Sequence, residues 1–127
     1  MSDTELEALV SMSCDERYDY SVGEIVDQKE LWILVNGDNQ FLKLYAEDED
    51  FEYVPVWPTE ALARNYAKDE SELQPKGITL PIFLKKWVTG LQNDGLELGI
   101  FPAPDGTVWI TDVHEFKQDL QDEMSNF

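Results

Sequence analysis

Cysteine and histidine, the side chains on which metal sites and nucleophilic enzymes most often depend, are nearly absent from this chain. One cysteine, Cys14, and one histidine, His114, occur among 127 residues. A zinc site, a disulfide or an iron–sulfur cluster takes two to four such side chains, so none can form within one chain. His114 could act as a base for Cys14 or a serine, but no nucleophile-elbow pattern accompanies it. We therefore assign no catalytic residue, no metal site and no cofactor, and the sequence favours a non-enzymatic protein with His114 on a helix surface.

A run of acidic side chains is the next group that could bind a ligand. Five carboxylates lie close together: Glu47, Asp48, Glu49, Asp50 and Glu52. A calcium loop needs its oxygen ligands at alternate positions around a central glycine, which this run lacks. We interpret the run as a solvated acidic turn. Residues 93–95 and 104–106 lack the spacing and the lysine of a phosphate-binding loop, so we interpret them as turns too.

Tryptophan and arginine are common in binding surfaces, and both are present here. The chain has four tryptophans: Trp32, Trp57, Trp87 and Trp109. Trp87 lies on an apolar helical stripe and Trp32 in an apolar strand, which indicates the core for both. Trp57 stands at a junction between a strand and a helix, so we expect it to be partly exposed. Arg17 and Arg64 are interpreted as structural ion-pair partners, because carboxylates are available throughout the chain.

The strongest compositional signal is negative charge. The chain has 27 Asp and Glu against 9 Lys and Arg, which gives a formal net charge of -18. Such a field repels nucleic acids and anionic membranes, so we expect neither as a partner, and it attracts basic proteins. Charge of this kind also keeps proteins soluble, and that simpler explanation stays open.

Two hypotheses for function follow from these residues. The first is an interaction module that binds a basic protein partner through the following candidate residues: Glu47, Asp48, Glu49, Asp50, Trp57, Glu115, Asp119, Asp122 and Glu123. The alternative is a small-molecule sensor or enzyme that uses carboxylates near Trp57 and Asp105. A contiguous acidic face would favour the first hypothesis, and a concave apolar pocket with convergent carboxylates the second.

Helical patterns alternate with turn signals over a length that suits one domain, residues 1–127. Leu6, Leu9 and Val10 predict a short first helix, and the capping-box pair Ser13 and Glu16 starts a second. A third helix is expected from residue 58 to about residue 68, and a fourth over residues 80–91. Its apolar stripe should be core: Leu80, Phe83, Leu84, Trp87, Val88 and Leu91. Asp112 caps a last helix.

Between these helices, alternating and β-branched runs predict about five strands: residues 31–35, 41–45, 53–56, 96–101 and 107–110. The first two should form a hairpin around the turn at residues 36–39. Pro55 indicates an edge or strand-end position, because proline cannot donate to a ladder. We predict an α+β fold with one mainly antiparallel sheet and helices packed on it.

Several phrases of the sequence match one family in order. They are residues 16–20 (ERYDY), 31–32 (LW), 54–58 (VPVWP), 84–87 (LKKW), 90–91 (GL), 94–96 (DGL) and 101–106 (FPAPDG). The chain resembles the bacterial family named domain of unknown function 2750. The resemblance implies a small bacterial protein of the cytoplasm and no reaction, ligand or partner. One difference is visible at residues 21–24, where relatives look more apolar and basic.

The expected location rests on three features of the sequence. Residues 1–10 lack a basic region of the kind that begins a secretory or mitochondrial presequence. The longest apolar run, residues 31–35, is far too short to span a bilayer. A single unpaired cysteine is typical of a reducing compartment, so we expect a cytoplasmic protein.

Overall fold

The computed structural model describes residues 3–38, 40–46, 50–103 and 107–125, which form five helices and six strands. The helices are α1 (Asp3–Val10), α2 (Cys14–Gln28), α3 (Glu60–Tyr66), α4 (residues 80–93) and α5 (Val113–Met124). The strands are β1 (Glu30–Val35), β2 (Leu44–Ala46), β3 (Phe51–Val56), β4 (Gln74–Thr79), β5 (Glu97–Ile100) and β6 (Trp109–Thr111). The α+β class is confirmed.

The strands form two small sheets, so the prediction of one mainly antiparallel five-stranded sheet is wrong. β1 pairs antiparallel with β4, and a separate sheet has the order β2-β3-β5-β6 with β3 and β5 parallel. The expected first hairpin is present only as its turn: Phe41 pairs with Val35 through an isolated antiparallel bridge, and the Leu42 N–H donates to the Leu34 carbonyl at 2.8 Å, but residues 41–43 form no strand. The partner of β1 is the segment Gln74–Thr79. Its polar residues, proline and glycine do not form the apolar or alternating pattern that predicts a strand. Pro55 lies in β3 beyond the last residue that pairs with β2, as its missing N–H requires.

Trp57 joins the two sheets. Its backbone N–H donates to the Trp32 carbonyl and its own carbonyl accepts from Trp32, both at 2.9 Å. The side chain is 0% exposed, so the prediction of a partly exposed Trp57 is wrong. Its indole Nε1 donates to the Pro102 carbonyl at 3.3 Å, and its ring packs on Tyr66 with a centroid distance of 5.1 Å. The polar atom of a buried indole needs such a partner, and the chain supplies one.

Helix α4 contains an irregular turn, and its predicted apolar stripe packs either within the core (Leu80, Phe83, Val88 and Leu91) or against it (Leu84 and Trp87). An α-helical start, Leu80–Ile82, leads into a π-helical turn, Phe83–Trp87, and then into Val88–Asn93. The Val88 N–H donates to the carbonyl of Phe83, five residues back. This wide turn rotates the residues after it relative to those before it. Phe83 and Val88 are buried, whereas Leu84 and Trp87 stay partly exposed at two different places on the surface.

The helix starts follow the sequence closely. Ser13 and Glu16 form the expected capping box of α2, and the Asp112 carboxylate accepts from the N–H groups of His114 and Glu115 at the start of α5. Thr59 caps α3, so this helix begins at Glu60, after Pro58. None of the helices in the described ranges has both the length and the apolar character that crossing a membrane requires.

Candidate functional site

Acidic residues gather at one end of the four-stranded sheet. The parallel register places Tyr53 of β3 beside Glu97, the first residue of β5, and the antiparallel register places Leu98 beside Thr111, the last residue of β6. The starts of β3 and β5 and the end of β6 therefore lie side by side. We call this region the acidic end and define it by five residues: Asp50, Glu52, Glu97, Asp112 and Glu115.

The carboxylates of the acidic end repel one another. Partial burial raises the pKa of Glu97, and the charges of Asp112 and Glu115 raise it further. A neighbouring cation would lower that pKa, but among the described residues no Lys or Arg lies within ion-pair distance of these three carboxylates. The negative potential at the acidic end is therefore uncompensated by a direct ion pair.

The opposite side of the acidic end lies where β2 turns into β3. The Tyr45 hydroxyl donates to the Asp50 carboxylate, and this hydrogen bond together with the charge of Glu52 raises the pKa of Tyr45. The Asp50 N–H donates to the Ala46 carbonyl at 2.9 Å and holds the strand ends together. Of the five predicted carboxylates in this region, Glu47, Asp48 and Glu49 lie outside the described residues, while Asp50 and Glu52 are exposed.

Helix α5 continues the acidic surface away from the sheet. Four of the predicted residues fall at offsets 0, 4, 7 and 8 on one flank: Glu115, Asp119, Asp122 and Glu123. Asp122 accepts from Gln118 Nε2 at 2.9 Å. The Asp119 carboxylate accepts a hydrogen bond from the Tyr18 hydroxyl. Burial raises the pKa of Tyr18, and the Asp119 carboxylate raises it further. Asp119 thus tethers α5 to α2, and the other three acids have freer side chains.

The two arginines have structural roles. Arg64 forms the expected ion pair with Glu60, at 2.6 Å. Arg17 is buried, and most of the partners that the structure describes for it are carbonyl oxygens, those of Met12, Phe101 and Thr107, at 2.7 to 3.2 Å. Its guanidinium also donates to the Thr107 hydroxyl and to Cys14 Sγ. This side chain therefore ties the start of α2 to the segment after β5.

The remaining predicted sites give no reactive centre in the described part of the chain. Cys14 is a free thiol, His114 is exposed on α5 as expected, and no three His, Cys, Asp or Glu side chains of the described residues could together hold a metal ion. Asp105, which the alternative hypothesis used, lies outside the described residues. Trp57 offers no surface to a ligand because it is fully buried.

A second surface was missed by the sequence analysis. An open apolar groove of about 640 Å³ lies between the end of α2, the start of α4 and the end of α5. Its floor is formed by Val26, Leu80, Leu84 and Met124, and Lys29, Lys85 and Asp27 line it with charged groups. The one signal in the sequence was the composition of residues 80–93, which contain Lys85 and Lys86 but no Asp or Glu.

Comparison with known proteins matches the sequence to a family of unknown function. Residues 18–120 match the family model described as Protein of unknown function (DUF2750). The matched range runs from within α2 to within α5 and contains every residue of the acidic end. No curated protein matches the sequence. The resemblance found in the ordered sequence phrases is thereby confirmed.

Proposed function

The chain belongs to the DUF2750 family of proteins of unknown function, and we propose that it is a non-enzymatic binding module whose acidic end docks on a basic protein. One observation carries the proposal: Glu97, Asp112 and Glu115 come from two strand ends and a helix start, the charges of the latter two raise the pKa of Glu97, and no ion pair among the described residues neutralises the three. A basic partner would relieve this repulsion, and this relief would add to the attraction between the opposite charges.

The same surface fits a partner that is recognised at long range. Asp122 and Glu123 extend the negative potential along α5, so several carboxylates attract an approaching basic surface at the same time. Fields of this kind accelerate encounter and disfavour partners of the same charge. The proposal therefore excludes nucleic acids and anionic membranes as partners. It assigns the module to the cytoplasm, on the ground that its single cysteine is free.

The alternative of a small-molecule sensor or enzyme at Trp57 and Asp105 loses its main support. The indole of Trp57 is enclosed by Pro102 and Tyr66 and has no exposed area. No convergent carboxylates meet an apolar pocket there within the described residues, because the apolar groove lies between α2, α4 and α5. The binding-module hypothesis is therefore the better supported of the two.

The test compares two triple variants with the same change in net charge. Glu97→Gln, Asp112→Asn and Glu115→Gln neutralise the acidic end, and asparagine preserves the N-cap of α5. Asp69→Asn, Glu70→Gln and Glu72→Gln neutralise three exposed acids in the connection between α3 and β4. Binding of a short oligolysine peptide, measured by calorimetry, should weaken about tenfold in the first variant, at roughly 0.5 kcal/mol per charge, and far less in the second. If both triple variants lose the same affinity for oligolysine, the effect depends only on net charge, and the proposal is contradicted.

An authentic partner is then sought with the same logic. Photo-reactive side chains at positions 115 and 72 report which proteins touch the acidic end and which touch the control surface in cells that express the chain. We expect a basic protein cross-linked from position 115 alone, with a yield that falls as the screening length shrinks from about 10 Å at 0.1 M salt to about 3 Å at 1 M. Equal cross-linking from both positions, or a yield that ignores salt, would contradict the proposal.

A further inference from the structure

The apolar groove is a built feature of the fold, remote from the acidic end. Its volume of about 640 Å³ lies in the range of small-molecule sites, which is about 300–1,000 Å³. Pro81 also lines it, and the next residue, Ile82, is 47% exposed. The start of α4 therefore leaves a continuous apolar surface uncovered, in a chain whose other surfaces are dominated by charge.

Backbone contacts hold the walls of the groove in place. The Lys29 carbonyl, which directly follows α2, accepts from the N–H of Leu80, which begins α4, at 2.9 Å. Lys29 itself has a left-handed backbone with φ 58° and ψ 33°, and its N–H donates to the Ile25 carbonyl. Glycine is the usual residue at such a position, because a side chain is strained there. Here the position is a lysine, and this residue lines the groove.

The π-helical turn of α4 shapes the other wall. Phe83 is buried in the core, whereas Leu84, the next residue of this turn, is partly exposed and lines the groove. Lys85 follows directly and lines the groove as well. Irregular turns of this type occur frequently at functional sites, and here one supplies both an apolar contact and a cation to the same cavity.

The charges of the groove define which ligand it fits. Two cationic residues, Lys29 and Lys85, line the groove against one carboxylate, Asp27, in a protein of net charge -18. We propose that the groove binds an amphipathic carboxylate of the chemical class of a single-chain fatty acid. Its hydrocarbon chain lies on Val26, Leu84 and Met124, and its carboxylate pairs with the ammonium groups of Lys29 and Lys85. The apolar floor provides affinity, and the two lysines determine the sign of the head group.

Decanoate, used below its micelle concentration, is the probe for the first experiment. Calorimetry should show saturable binding of one decanoate per chain, and the Met124 methyl signal in NMR spectra should shift with it. Shortening the probe to octanoate should weaken binding about fifteenfold, since each buried methylene contributes about fourfold. Decyltrimethylammonium is the charge-reversed control. General adsorption to so acidic a protein would favour this cation, whereas the proposed site rejects it from the groove.

Matched variants locate the head group. Lys85→Gln should weaken decanoate binding about fivefold, and Lys86→Gln, which makes the same charge change outside the groove, should leave it unchanged. Asp27→Asn removes the opposing carboxylate and should strengthen binding. Lys29→Gly should weaken binding about fivefold while raising the Tm, because glycine relieves the left-handed backbone. In that variant, loss of affinity cannot result from unfolding.

Three results would overturn the proposal. Decanoate that fails to saturate at one equivalent, or that shifts signals away from Met124, would remove the site. Equal effects of Lys85→Gln and Lys86→Gln would remove the assigned role of Lys85. Binding of the cationic probe in the groove, or of an acidic amphipathic peptide but not of decanoate, would show that the assigned ligand class is wrong. Each of these results leaves the test of the acidic end unaffected, because Lys29 and Lys85 lie outside it.

Discussion

Both surfaces of interest lie where a sheet ends, and they differ in almost every other respect. The four-stranded sheet ends in carboxylates that meet because β3, β5 and β6 stop or start at the same level. In the two-stranded sheet, Glu30 at the start of β1 pairs with Thr79 at the end of β4. Next to this end of the sheet lies the apolar groove, which is lined by Lys29 and Lys85. One surface is polar and lies at the ends of paired strands, and the other is apolar and lies between helices, one of which contains a π-helical turn.

The two surfaces also differ in the kind of irregular backbone they contain. The acidic end has one left-handed residue, Asp50 with φ 57°, just before β3, and its unfavourable energy includes repulsion between surface carboxylates, which solvent and salt reduce. The groove needs a left-handed Lys29 and a π-helical turn in α4, both of which the surrounding structure must hold in place. The two surfaces should therefore respond to mutation in different ways.

The largest effect is expected where the two sheets join. Trp57→Ala removes a fully buried ring and should lower the free energy of unfolding by about 3–5 kcal/mol, because the cavity lies between both sheets. Trp87→Ala is the matched substitution, and it should cost roughly half as much because part of that ring is already in water. Denaturant melts provide both values. If the two variants lose equal stability, Trp57 is not the central link.

Replacing a glycine by alanine should have opposite effects on stability in the four-stranded sheet and in helix α4. A methyl group at Gly99 of β5 would lie 2.6 Å from Tyr53 Cε2, so Gly99→Ala should cost about 1–3 kcal/mol through overpacking. A methyl group at Gly90 of α4 meets no atom within 4 Å, so Gly90→Ala should stabilise the protein by about 0.5–1 kcal/mol through helix propensity. Thermal melts of both variants check the opposite signs, and a common sign would refute this description of the two regions.

Helix α2 links the two regions: its residue Tyr18 contacts α5, and the last turn of α2 leads to Lys29. Ser21 lies between them, fully buried, and its hydroxyl has no hydrogen-bond partner in the described part of the chain. Ser21→Ala should therefore stabilise the protein by about 1 kcal/mol. Binding of oligolysine and of decanoate should stay unchanged. A destabilised variant would show that the hydroxyl has a partner.

The smallest effects should be changes of single charges, with opposite signs in the two regions. The pKa of Glu97 is raised in the folded protein, so folding favours its protonated form, and its ionisation reduces stability as pH rises through the titration of this carboxyl. Glu97→Gln should thus be more stable than the wild type at pH 7, by less than about 1 kcal/mol because Glu97 is only partly buried and water screens its charge. The difference should vanish below the ordinary pKa of glutamate. Lys85→Gln should be slightly less stable, since it increases the net negative charge.

Melting curves of these two variants at pH 7 and pH 4 and at low and high salt provide the measurement. The gain of Glu97→Gln should shrink at pH 4 and at high salt, where repulsion at the acidic end is neutralised or screened. A gain that persists under both conditions would mean that packing, rather than charge, explains the effect. In that case the repulsion that supports the acidic end as a binding surface would be absent.

Local signals predicted the helix starts and much of the four-stranded sheet. Ser13 and Glu16 cap α2 as their spacing required, and Asp112 caps α5, because capping depends on contacts a few residues apart. The predicted strand 53–56 lies within β3, and β5 lies within the predicted strand 96–101, because strand patterns are also local. The acidic set on α5 also follows from helical spacing alone, and so Glu115, Asp122 and Glu123 are exposed or partly exposed on one flank. Charge and composition needed no structure at all.

Tertiary structure decided everything that depends on distant segments. The pairing of β1 with Gln74–Thr79 joins residues that are 39 to 49 positions apart, and no turn signal predicts it. Burial of Trp57 requires Trp32, Tyr66 and Pro102 around it, and the groove requires three helices to leave a gap. Local periodicity likewise did not predict the π-helical turn within the apolar stripe of α4. The sequence alone determined charge, caps and local elements, while long-range packing decided which surfaces these elements formed, because it balances contacts that no local window contains.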